Sequence, residues 1–225
     1  MLYAIVSDAA IVLCFVPFLL LFWKKMRQEK AYFVAGIYWL ANGLVNLPDL
    51  DLIVRGSLIE KAIRFYNLLD TPLILLMFSF AASRKNYKRQ LQVMLILFVA
   101  FEFTLLGWKG YNFNTSALII GAGILLVMIC CITGLIQFMK EMEHSPFENS
   151  MACIYGALLF VYGCFLFLYT FVQLRRHEPD YISSTGNRDG LLLYYVALLL
   201  SASITSLGLW SYGLKQPAGY SSSSS

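Results

Sequence analysis

Four neighbouring side chains are equipped for chemistry in a stretch that is otherwise greasy. The segment Arg64–Phe78, RFYNLLDTPLILLMF, sets Arg64, Tyr66, Asn67 and Asp70 directly before an apolar run. Tyr66 and Asp70 are four apart and Asn67 and Asp70 three apart, so on a helix the phenol, amide and carboxyl share one face. A carboxyl held there can bind a cation or a small ligand, or pass a proton. Glu102 is a second acid inside an apolar block, and together the two acids have the residue types for general acid–base exchange. Asn46 adds an amide, and Ser201, Ser203, Thr205 and Ser206 crowd hydroxyls into the last block, with Ser203 the one taken as a candidate ligand contact.

Other chemistries lack their residues. His144 and His177 fall in connections on opposite sides, so a histidine zinc site within the membrane is excluded, and no metal is expected. The chain has no GxSxG, HExxH or phosphate-cradling glycine loop. The run GAGILL at 121–126 lies within an apolar block and reads as helix packing. Cys14, Cys130, Cys131, Cys153 and Cys164 all fall within apolar blocks and read as small hydrophobes.

The elements that must position these groups follow from composition. The chain is 59% hydrophobic and 13% charged, with a mean hydropathy of +0.68, whereas soluble domains are nearer half apolar and about a quarter charged. The apolar residues come in blocks of about 20, the length a helix needs to cross roughly 30 Å of hydrocarbon. This predicts an all-α membrane protein, a bundle of seven transmembrane helices at about 2–23, 32–54, 62–83, 89–108, 115–139, 150–174 and 190–214. Residues 1–215 form one domain and 216–225 a serine-rich tail outside it. The first block starts at Leu2 without a basic leader, so it reads as a retained span.

Charge in the connections sets direction. Lys24, Lys25, Arg27 and Lys30 in the first, and Arg84, Lys85, Lys88 and Arg89 in the third, are the densest basic clusters. Placing them inside gives N-terminus out and C-terminus in, with a bacterial inner membrane as the expected location. Trp23, Trp108 and Trp210 near span ends fit interfacial belts. The net charge of +4 forms no stripe for nucleic acid. The partners expected are membrane lipids and a small-molecule or ion ligand, with a homo-oligomer also compatible.

Direction then gives depth. Asn42 falls mid-bilayer, and Asn46, Asp49 and Asp51 lie progressively farther out, the last two at the interface. Arg64 lies near the outer surface, with Asp70 six residues, about 9 Å, deeper. Glu102 falls in the outer half of the fourth span. An ionised carboxylate in hydrocarbon costs about 3 kcal/mol or more, so such a group faces the bundle, is paired, or carries a proton. The leading expectation is an outward-facing polar cavity that binds a small ligand, ion or lipid, in a sensor or a carrier, proton-linked in one version. Asp70 and Glu102 would be its acidic centre, with Arg64, Tyr66, Asn67 and Asn46 around them. Two alternatives stand beside it. One is a membrane enzyme using both carboxyls on a lipid or isoprenoid. The other is a structural or partner-binding subunit in which the same groups are polar glue between helices. Tyr155, Tyr162 and Tyr169, spaced by seven beside Gly156 and Gly163, read mainly as packing.

Seven spans, short connections and N-out/C-in direction resemble the microbial rhodopsins. Arg64 followed by Thr71–Pro72–Leu73 is similar to a run in their third helix, and Ser201–Ala202–Ser203 to the seventh-helix stretch that carries the retinal lysine. The resemblance covers about 25 residues and implies a seven-helix fold. It departs at the chemistry: the lysine position falls on Ser203, the counterion position on Tyr66 and the seventh-helix aspartate on Leu199. The lysines (24, 25, 30, 61, 85, 88, 109, 140 and 215) all lie at span ends or in connections. A covalent retinal pigment is therefore excluded, and no cofactor is expected.

Overall fold

A computed structural model describes residues 2–50, 57–141, 143–174 and 186–215. Asp51, Arg55, His177 and the tail after 215 lie outside the described residues, as does the side chain of Asp49. Among the described residues the secondary structure is helical throughout: α1 (Leu2–Cys14), α2 (Val16–Trp23), α3 (Lys30–Asn46), α4 (Ser57–Ala81), α5 (Lys85–Lys109), α6 (Phe113–Lys140), α7 (Pro146–Leu174) and α8 (Gly186–Lys215), with no strand.

The first two segments are one rod, Leu2–Trp23, interrupted at Phe15. Pro17 has no N–H for the Leu13 carbonyl, and the Phe15 N–H turns back tightly to Val12 O at 3.2 Å. Counting that rod once, six helices among the described residues are long and apolar enough to cross a membrane. The expected second span, to about residue 54, is the exception. Helix α3 is 17 residues and stops at Asn46, followed by a 3₁₀ turn, Leu47–Leu50. The Leu47 N–H folds back to Leu44 O, and Pro48 cannot continue the ladder. What α3 lacks in length it makes up in burial: Tyr32, Tyr38 and Trp39 are almost wholly enclosed. Helix α4, in contrast, runs through Pro72 without ending.

The other ends follow from local signals. Gly110, at φ 68°, closes α5 in a conformation that side chains resist. Asn112 Oδ1 accepts the Thr115 N–H at 2.9 Å and caps α6. At α7, Ser145 and Glu148 form a reciprocal capping box: Glu148 N–H donates to Ser145 Oγ (3.2 Å), and Ser145 N–H to Glu148 Oε2 (2.7 Å). Asn112→Ala should lower stability by about 1 kcal/mol, read as an earlier midpoint in unfolding by SDS titration.

The rods close into a ring. The α1–α2 rod packs on α3 and α8, α3 on α4, α4 directly on α6, α6 on α7, and α7 on α8. Helix α5 is left outside, lying mainly against α4. It buries Leu91, Phe98 and Glu102 but exposes Ile96, Leu97 and Phe103, as a lipid-facing helix does. Glycines on α6 admit the neighbours. A Cβ at Gly121 would meet the Tyr169 hydroxyl at 2.9 Å, one at Gly123 the Thr71 Oγ1 at 2.3 Å, and one at Gly134 the Tyr155 ring at 2.9 Å. The packing role read from GAGILL thus holds. The role expected of Gly156 and Gly163 does not, because both face open space.

Candidate functional site

Ring closure leaves a cavity of about 630 Å³ between α3, α4, α6, α7 and α8. Its mouth is at the end that carries the α5–α6 connection, where Arg64, Tyr111 and Asn112 meet. Arg64 is exposed there, its guanidinium 5.1 Å from the centre of the Tyr111 ring. Deeper, Ile120, Ile124 and Leu168 make apolar walls, and Tyr66, Phe165, Tyr169 and Tyr194 bring rings into the lining.

Asp70 is the acid of this cavity. Its helical neighbour Tyr66 donates to Oδ1 at 2.9 Å, realising the four-residue spacing legible in the sequence. From across the ring, the Tyr162 hydroxyl on α7 donates to Oδ2. Two phenols from different helices thus fix the carboxyl plane. Beside this trio, Asn42 lines the cavity and Tyr38 lies close to Tyr162 and Asn42. Asn42 is 3% exposed and Tyr38 1% exposed, and the Tyr38 hydroxyl and Asn42 amide face one another, sealed from the open space. Asn46, one turn along α3, donates to Asn42 O at 2.8 Å and to the Tyr194 hydroxyl at 3.1 Å. Tyr194 in turn stacks on Phe165, their ring centres 5.2 Å apart.

Arg64, Tyr66, Asn67 and Asp70 therefore come together in one lining, as their spacing suggested. Asn46 supports the wall through Asn42 and Tyr194 without facing the space. Glu102 and Ser203 do not join them. Glu102 is buried (4% exposed) near enough to Asp70 for their charges to interact, but it sits on the excluded helix α5, its Oε1 has no hydrogen-bond partner among the described residues, and it is outside the lining. Ser203 donates to Leu199 O of its own helix at 2.7 Å, and Ser201 ties α8 to Ala157 O of α7 at 2.9 Å. The main omission in the sequence reading is the tyrosine stripe of α7. Tyr162 holds Asp70 and Tyr169 lines the cavity, while Tyr155 is the packing residue, 4.9 Å from Phe78 between ring centres. Their spacing of seven was the available signal.

Beyond the cavity, Glu141, His144 and Glu148 place possible ligand atoms within 4.8 Å of one another at the α6–α7 connection. Glu148 is engaged in capping α7, and Glu141 pairs with Arg84 at 3.7 Å.

Comparisons with protein-family models, curated proteins and solved structures return no match. The likeness to microbial rhodopsins rests on its short motifs alone.

Proposed function

We propose that this integral membrane protein binds a small organic molecule in the Asp70 cavity, with the mouth and the N-terminus on the outer side, and acts as a sensor or carrier. The observation that carries this is Asp70: a carboxyl held by phenols from two helices in the wall of a roomy cavity. A cavity of about 630 Å³ also falls in the range of roughly 300–1,000 Å³ typical of small-molecule sites. The paired-carboxylate enzyme reading gains no comparable support, since Glu102 lies outside the lining.

The test is thermal stability of the purified protein in maltoside micelles against a panel of small organic amines, acids and neutral compounds. A ligand at 100 times its Kd should stabilise the folded state by about 2.7 kcal/mol. Ala117→Trp, which fills the cavity without touching Asp70, should keep the fold and lose that stabilisation. No stabilising compound in the panel, or equal stabilisation of Ala117→Trp, would count against the proposal.

A further inference from the structure

We infer that the occupant is an organic cation, its ammonium group seated against Asp70. This rests on the cavity reading above and names the ligand class for the same site.

Charge makes the first part of the case. Among the described residues, Asp70 is the only acid lining the cavity, and no basic group lines its closed end. Arg64, the one cation in the lining among the described residues, lies six residues toward the mouth, about 9 Å along the helix, stacked on Tyr111. The two tyrosine hydroxyls hydrogen-bond the half-buried Asp70 but bring no positive charge. Each carboxylate oxygen keeps a free lone pair, so Asp70 still presents negative charge to a ligand cation. A half-buried charge without a counter-charge is still costly, and a ligand cation supplies it.

The walls narrow the class further. Tyr66, Phe165, Tyr169 and Tyr194 offer ring faces, which attract ammonium groups in enclosed sites. A bare metal ion would leave Ile120, Ile124 and Leu168 facing unfilled space, whereas an organic body covers them.

The experiment compares three probes of matched length by calorimetry in dodecyl maltoside: hexanoylcholine, its uncharged isostere 3,3-dimethylbutyl hexanoate, and anionic N-hexanoyltaurine. Hexanoylcholine should bind the wild type at least tenfold more tightly than the isostere. Asp70→Asn should reduce that preference to less than twofold. Tyr162→Phe, which keeps the carboxylate but frees one side of it, should reduce it about threefold, so the inference stays testable if Asp70→Asn does not fold. Equal or tighter binding of the isostere or the taurine amide overturns the cation assignment while the cavity reading stands on its own panel. Undiminished preference in Asp70→Asn overturns the role of Asp70. Failure of all three probes overturns the inference, and the panel then separately decides whether the cavity binds anything.

Discussion

Gly123→Ala is expected to destabilise the bundle by about 1–3 kcal/mol, the usual penalty for overpacking a tight core. The helix propensity of alanine favours the opposite result by about 1 kcal/mol, so the sign itself is informative. The added Cβ would stand 2.3 Å from Thr71 Oγ1, with Thr71 Cβ and the Phe98 ring both at 3.3 Å. Threonine is stiff at χ1, and Thr71 is buried, so the clash is relieved mainly by moving α6 away from α4. That contact closes the ring and leaves α5 outside. Thr71→Ala in the same chain removes the oxygen and should recover most of the loss. Gly156→Ala and Gly163→Ala, whose Cβ atoms meet nothing within 4 Å, should be neutral or mildly stabilising. SDS-titrated unfolding of the three single variants and the double variant measures this. A neutral Gly123→Ala, or no recovery with Thr71→Ala, would show that α4 and α6 do not meet as described.

The same contact explains which parts of the molecule were legible beforehand. The length of an apolar block is a one-dimensional property, so α4 to α8 start and end within about five residues of the expected spans. The exception, α3, ends early because a local rule, the missing N–H of Pro48, overrides hydropathy. Depth along the bundle axis is also countable, which is how Arg64 and Asp70 came to be assigned to the mouth and interior of one wall. Azimuth is not countable. Whether Asp70 and Glu102 share a cavity depends on which helices are neighbours across the ring, and the direct packing of α4 on α6 puts Glu102 outside. Ser203 fails for the same reason, at mid-helix but turned to its own backbone. The tyrosines of α7 show the converse. Their spacing fixed a common face but not what that face would meet, and the answer for Tyr162 lies 92 positions away in the chain, at Asp70.

That long-range pair yields the second large effect. Tyr162→Phe removes one of two hydroxyl donors to Asp70 and should cost about 1.5–3 kcal/mol, the range for hydrogen bonds to charged groups. The ring is otherwise retained, including its contact with Phe165, 5.6 Å between centres, so packing contributes little. Asp70→Ala removes the acceptor and leaves Tyr66 and Tyr162 facing a gap, while also removing a charge that is expensive to bury. Its own effect on stability is therefore a difference of large terms, and the single variant is a poor probe. The double-mutant cycle is a good one. If the bond is the reason for the Tyr162 effect, then Tyr162→Phe in the Asp70→Ala background should cost nothing or stabilise slightly, giving a coupling energy of about 1.5–3 kcal/mol. A coupling near zero would mean that Tyr162 acts by packing, as its heptad spacing first suggested. A large coupling would instead mark Asp70 as a carboxylate oriented by the protein before any ligand arrives. Such pre-orientation lowers the ordering cost of binding. It is also why the ligand preference assigned to Asp70 should weaken in Tyr162→Phe even though the acid itself is untouched.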